Sequence, residues 1–294
     1  MLIELPNSSY RRLDGLRLLS ICTSTAKASV FAASFNDVGQ LALGSLVFQD
    51  HGRESASMIF RLIDQALKQA SLADFDLLTF DRGPGAFTGV RIGCGVAQGL
   101  GFGKSIPVVG VNALAAFAMQ IARSKALVNR DCANESSLCG VAIDARMGEV
   151  YCAAYRYSTM NGLEQTTVLA PTVCNAEQAM LLFENVLCNH VETQMFVGGN
   201  GFSPEGLHQS LFEWALNRSS AVEIDSSVDL DAEKIAFFAV ATVKAQLRQS
   251  GSRESCEAIL KDIYPAALAA PEYVRNDVAL DKSQQAQLRL ERSR

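Results

Sequence analysis

The sequence predicts an α/β protein of two lobes, each a mixed sheet flanked by helices. Three observations lead there. Three strand-like segments in succession are followed by alternating helices and strands, and after a polar stretch at 126–137 the same order begins again. A hydrophobic content of 49% over 294 residues is ample for a substantial core and excludes disorder throughout.

Residues 1–16 read as an extension. Segments 17–23, 28–35 and 41–48 carry the β-branched and aromatic content of strands, separated by short turns, so consecutive pairing in an antiparallel meander is expected. In 53–69, Met58, Ile59, Leu62, Ile63, Ala66 and Leu67 recur at i, i+3 and i+4 spacing, the pattern of an amphipathic helix. A strand at 75–80, a glycine-rich helix at 88–104, a strand at 107–111 and a helix at 113–125 complete a first lobe, 17–125. After the connector 126–137, the second lobe, 138–249, offers strands at 138–145, 150–157 and 165–173 and a helix at 176–187. It continues with a strand at 195–197 ending in Gly198-Gly199-Asn200-Gly201, a helix at 205–216, a strand at 221–224 and a helix at 232–247. Residues 250–294 read as a linker and a mixed C-terminal segment. The repeated order is that of two ribonuclease-H-like lobes of an actin-like fold.

The chain is organised around Asp81 to Lys104. Gly83-Pro84-Gly85 punctuates the end of a strand, and Thr88 stands where a helix N-cap is expected. Six glycines fall between 89 and 103. Each interior glycine costs a helix about 0.5–1 kcal/mol against alanine, so the loss must be recovered by packing. Gly89, Gly93, Ala97 and Gly101 form one smooth stripe, and Gly95, Gly99 and Gly103 the adjoining one, which suits close approach by other backbones in a buried or partner-facing helix.

The net charge of -5 argues against a free-standing, general nucleic-acid binder. Charge is uneven, however. From Arg82 to Arg130 there is no Asp or Glu, while Arg82, Arg91, Lys104, Arg123, Lys125 and Arg130 are present, giving either a docking face for an anion or acidic partner or plain solvated surface. Eight cysteines without a C-x-x-C pair read as reduced, buried thiols of a cytosolic protein. Asp14, Arg17 and Lys27 interrupt any signal-peptide core, and no apolar run of about 18 residues occurs, so a cytoplasmic location without membrane contact is expected. His51, His190 and His208 are the only histidines, none in H-E-x-x-H spacing, so no metal site is expected. No nucleophile constellation supports a protease. The Rossmann and Walker A patterns both fail: no acidic residue follows Gly83–Gly89 before Asp131, and Gln98 occupies the first-glycine position before Gly103-Lys104-Ser105.

The block Gly83-Pro84-Gly85-Ala86-Phe87-Thr88-Gly89-Val90-Arg91-Ile92-Gly93 resembles the signature of the TsaB family, formerly called YeaZ, actin-like proteins of tRNA modification. Two further blocks, 142–151 and 271–279, are similar to that family's in the same order. The resemblance implies a non-catalytic subunit that pairs with TsaD and supports threonylcarbamoyl transfer to the adenosine beside the tRNA anticodon. It implies the ATPase TsaE as third member, self-association as a homodimer through the same surface, and tRNA met only indirectly. No cofactor is expected on this subunit, and ATP, ADP and metal are expected on the partners. The partner surface implied lies on the helices 53–69 and 88–104, with Arg53, Met58, Leu62, Thr88, Arg91, Gly93, Gly95, Val96 and Gly99. Residues implied near a nucleotide are Gly83, Pro84, Gly85, Thr88, Gly89, Asp144, Arg146, Gly198 and Gly199. Ala86 and Cys22 depart from the family's usual Ser and Asp. An actin-like nucleotide enzyme places a carboxylate on its first strand ahead of amides that hold phosphate, whereas Ile21-Cys22-Thr23-Ser24-Thr25 reads as a packed strand. Asp144 either orients a metal or serves its own turn, and Gly198–Gly201 either meets an adenosine or is an ordinary turn. The rival reading is an actin-like kinase or carbamoyltransferase acting alone.

Overall fold

The computed structural model describes residues 15–25, 27–36, 40–50, 56–67, 74–128, 137–158, 164–190, 194–204, 208–225, 229–250 and 256–274. Arg53, the extension before residue 15, connector residues 129–136 and the end of the third block after 274 lie outside the described residues.

Strands β1 (Leu16–Cys22), β2 (Lys27–Phe35) and β3 (Leu41–Asp50) form the expected meander. Helix α1 (Ala56–Leu67) leads to β4 (Leu77–Gly83), and α2 (Phe87–Lys104) leads to β5 (Val108–Asn112). Both of these strands lie parallel in the sheet, β4 against β1 and β5 against β4, as helical crossovers allow. The resulting sheet has the order β3-β2-β1-β4-β5. After α3 (Ala113–Val128) the plan repeats with β6 (Ser137–Arg146), β7 (Glu149–Ser158), β8 (Glu164–Asn175), α4 (Ala176–Asn189), β9 (Met195–Gly198), α5 (Gln209–Asn217), β10 (Val222–Ile224) and α6 (Ala232–Ser250). The second sheet runs β10-β9-β6-β7-β8, the same arrangement of three antiparallel and two parallel strands, as a duplicated actin-like fold requires.

Three apolar clusters bind these layers. Met58, Ile59, Leu62 and Ile63 of α1 and Cys94, Val96 and Ala97 of α2 pack on the outer face of the first sheet. Phe183 of α4 and Leu211 of α5 cover the outer face of the second. Between the sheets lie α3 and α6, whose Leu114, Phe117, Ile121, Ile235, Ala239 and Val243 join side chains of both sheets in one core. Helix α6 follows the second sheet in sequence yet packs on β1, β2 and β4, and its Ala232 N–H donates to Ser29 Oγ at 2.9 Å.

The last described stretch differs from expectation. Cys256–Ile263 forms helix α7, and residues 264–274 run back across the first lobe, while residues 251–255 of the expected linker lie outside the described residues. The N–H of Val108 on edge strand β5 donates to Tyr264 O at 3.0 Å, and Glu272 N–H to Arg82 O at 2.7 Å. Cys22, Cys94, Cys139, Cys152 and Cys174 are buried and outside any disulfide, whereas Cys188, also outside any disulfide, is exposed at the end of α4, contrary to the reading of every cysteine as buried.

Candidate functional site

The first site is the corner where β1 and β4 end and α2 begins. Ile21 and Phe80 are register partners, so Cys22 at the end of β1 and Asp81 near the end of β4 stand side by side on adjacent parallel strands. Asp81 is fully buried. Its Oδ1 accepts the Thr23 N–H at 3.1 Å, and its Oδ2 accepts the Ser24 N–H at 2.7 Å and the Cys22 thiol at 3.3 Å. Burial pushes the Asp81 carboxyl above the usual carboxylate range, while the bonds from Ser24, Thr23 and Cys22 pull it back. Burial, followed by the facing Asp81, pushes the Cys22 thiol well up, so it stays a protonated donor.

This turn in turn fixes the start of α2. The Ala86 N–H donates to Ser24 O at 2.9 Å, and Thr23 Oγ1 donates to Gly89 O at 2.7 Å. A Cβ on Gly85 would meet Ser24 Cβ at 2.5 Å, so the chain between the cis Gly83–Pro84 bond and the helix lies directly on β1's end. The helix therefore starts at Phe87 with Ala86 as its cap residue, and Thr88 sits exposed in the first turn, which corrects its expected N-cap role.

The two glycine stripes point in opposite directions. Gly89, Gly93, Ala97 and Gly101 are buried, and a Cβ on Gly93 would stand 2.4 Å from Thr23 Oγ1. Gly95, Gly99 and Gly103 are exposed, with nothing within 4 Å of the added Cβ. Gly93 and Val96 on α2, with Met58 and Leu62 on α1, are thus core residues, and their expected place on a partner surface is corrected: each contributes to the face that covers the sheet.

The returning C-terminal segment borders the outward stripe. Arg91 is exposed; its guanidinium carbon lies 3.7 Å from the Phe87 ring centroid and 5.5 Å from that of Tyr273, and its Nε donates to Tyr273 Oη at 2.9 Å. Arg82 Nε pairs with Glu272 Oε2 at 2.8 Å, and Gln98 Nε2 donates to Ala267 O at 3.3 Å. The face reads, along α2, as Phe87, a clamped Arg91, bare backbone at Gly95 and Gly99, then Phe102, which is 76% exposed; on the adjoining segment Leu268 is 77% exposed.

The second lobe's corner is occupied by its own side chains. Asp144 Oδ1 lies 3.3 Å from Nε2 of the buried His208 and accepts the Arg146 N–H at 3.0 Å, while the Asp144 N–H donates to Asn200 Oδ1 at 2.8 Å. Arg146 Nη1 stands 3.7 Å from Asp144 Oδ2 with its side chain in solvent. Met147 and Gly148 hold positive φ in the two-residue turn between β6 and β7. Gly198 is buried against Ile121, and Gly199, at φ 105°, approaches so closely that a Cβ would meet Ala142 O at 2.2 Å. Gly199 and Gly201 thereby pack on Ala142 of β6. Among the described residues, no group of three or more His, Cys, Asp or Glu is placed to hold a metal ion. Sequence reasoning missed Asp81 and His208 as site residues. A lone carboxylate closing an otherwise apolar strand was the available signal for Asp81, and none pointed to His208.

Comparison with known proteins agrees with this architecture. The family model for TsaD, tRNA N6-adenosine threonylcarbamoyltransferase, matches residues 47–287. The tRNA threonylcarbamoyladenosine biosynthesis protein TsaB of Escherichia coli is 36% identical over 169 residues, spanning 56% of this chain and 68% of that protein. Its Haemophilus influenzae counterpart is 31% identical over 186 residues, 59% of this chain and 70% of that protein. A tRNA N6-adenosine threonylcarbamoyltransferase of Cereibacter sphaeroides is 35% identical over 119 residues but is covered over only 33% of its length. The solved structure of YeaZ from Pseudomonas aeruginosa superposes with a TM-score of 0.57 at 26% identity, covering 88% of this chain and 99% of that one. With a matching fold over nearly the whole YeaZ chain, and TsaB relatives covered over two thirds of their length where the transferase is covered over one third, this chain belongs to the TsaB (YeaZ) family.

Proposed function

We propose that the chain is a non-catalytic partner subunit in threonylcarbamoylation of the adenosine next to the tRNA anticodon, and that it docks a TsaD-like transferase through the outer face of α2. The observation that carries this reading is that face itself: exposed glycine backbone between an aromatic-clamped arginine and two large exposed apolar side chains. Such a surface suits a partner helix approaching closely, with apolar anchors at either end. Thr88, Arg91, Gly95 and Gly99 remain in this surface, and the same face serves self-association when the transferase is absent. A TsaE-like ATPase joins the assembly, and tRNA is reached through the complex in the cytoplasm.

Against the rival reading, groups at both corners that would meet a nucleotide are engaged within the chain. The Thr23 and Ser24 amides already hold the Asp81 carboxylate, and Asp144 is engaged by His208 and the Arg146 amide. In this reading ATP or ADP and the metal belong to the partners. The test is co-purification with the native transferase, together with assays of the chain alone for ATP turnover and threonylcarbamoyl transfer. Recovery of the transferase by wild type and its loss in a stably folded Gly95→Arg variant are expected. Turnover by the chain alone that disappears on Asp144→Ala would overturn the non-catalytic reading.

A further inference from the structure

Two consecutive backbone amides that point at one spot form a small anion-binding concavity, a feature used elsewhere to hold phosphate. Here the Thr23 and Ser24 amides converge on a carboxylate from a neighbouring strand, at 3.1 Å and 2.7 Å, with the Cys22 thiol as third donor. The same turn carries the two bonds that seat α2, Ala86 N–H to Ser24 O and Thr23 Oγ1 to Gly89 O. We infer that Asp81 is a positioning residue: its carboxylate is a built-in anion that organises the Thr23–Ser24 turn and, through it, sets the start of α2 and the partner face that helix carries.

What the turn requires is one carboxylate at this spot, whichever strand supplies it. Cys22 Sγ lies 3.3 Å from Asp81 Oδ2, so the neighbouring β1 position reaches the same place. An aspartate there precedes the two amides in sequence and has the reach to bond its own backbone two residues on, as Asp does in turns. The carboxylate is thus transferable from β4 to β1, but the two positions do not both carry an ionised one without cost, because buried like charges at this separation repel.

The experiment uses the full chain in four variants: Asp81→Asn, Asp81→Gly, Cys22→Asp, and Cys22→Asp with Asp81→Gly. Thermal melting is read first, without any partner. Each single variant is expected to melt at least about 5 °C below wild type. Asp81→Asn belongs with them because its NH2 faces one of the two amide donors, although its volume is unchanged. The double variant is expected to recover most of the loss. Transferase capture is read second and rests on the docking proposed above; it should fall in the single variants and return in the double. Asp81→Asn melting with wild type, or a double variant no more stable than Asp81→Gly, overturns the inference. A double variant that recovers its melting temperature while neither it nor wild type captures the transferase refutes the docking and leaves the role of Asp81 in the turn established.

Discussion

Alanine substitution on the two glycine stripes of α2 should change stability in opposite directions. In an open helical position, Gly→Ala gains about 0.5–1 kcal/mol from backbone entropy and propensity. Gly95 and Gly99 have nothing within 4 Å of the added Cβ, so the double substitution should stabilise by about 1–2 kcal/mol. At Gly93 the same methyl would stand 2.4 Å from Thr23 Oγ1, which already donates to Gly89 O at 2.7 Å. Displacing that hydroxyl combines overpacking, typically 1–3 kcal/mol, with about 1 kcal/mol for the lost bond, and outweighs the propensity gain. At roughly 2–4 °C per kcal/mol for a chain of this size, Gly93→Ala should melt some 2–14 °C lower and Gly95→Ala with Gly99→Ala some 2–8 °C higher. Circular dichroism melts at several protein concentrations provide the assay, because self-association would make the midpoint concentration-dependent. A fall in melting temperature at every concentration for Gly95→Ala would show that this face is packed inside the lobe, and the partner surface would have to lie elsewhere.

Three further outcomes are expected. Burial pushes the Glu184 carboxyl up, but bonds from Trp214 Nε1 at 2.7 Å and from Arg218 hold it below its ordinary value, so the stabilisation is full above the ordinary carboxylate range and lost as pH falls through the depressed value. Trp214 is the only tryptophan, and its emission should shift in that acid window in wild type but not in Glu184→Gln; an identical titration in both would refute the assignment. Tyr273→Ala should weaken transferase capture by unclamping Arg91 while leaving the melting temperature nearly unchanged, since Arg91 and Tyr273 are both exposed; early melting would instead make the segment a structural strap. Chelator and reductant should leave the melting temperature unaltered, and a drop of several degrees under either would reveal a metal or disulfide outside the contacts described.

The duplicated strand and helix order was legible because each element carries its own period, as in the i, i+3, i+4 apolar run of α1. Which side of α2 faces inward was not. Glycine occurs on both faces, so the usual contrast between apolar and polar sides is weak, and the placement of Thr23 beneath Gly93 and of Val108 beneath Gly101 decides it. Helix α7 escaped notice because it is eight residues long and follows a Ser-Gly-Ser stretch typical of linkers. The corner around Asp81 needed tertiary information: its amide partners lie 57 and 58 positions upstream, and strand pairing alone brings them together. His208 is hidden in the same way, 64 residues from Asp144.

The return of residues 264–273 to the first lobe has a consequence for biosynthesis. A ribosome delivers β1 to β5 and α2 long before the segment that pairs with Val108 at the β5 edge and clamps Arg91. Until then the nascent lobe carries an open strand edge, a known liability for unwanted pairing, and an arginine held on its outer helix by Phe87 alone of its two aromatic neighbours. Helix α6, which covers the inner face of that sheet, also arrives late. Completion of the N-terminal lobe therefore waits for residues that follow the whole second sheet in sequence, and a chain lacking 264–273 would leave the β5 edge open and Arg91 without its Tyr273 partner.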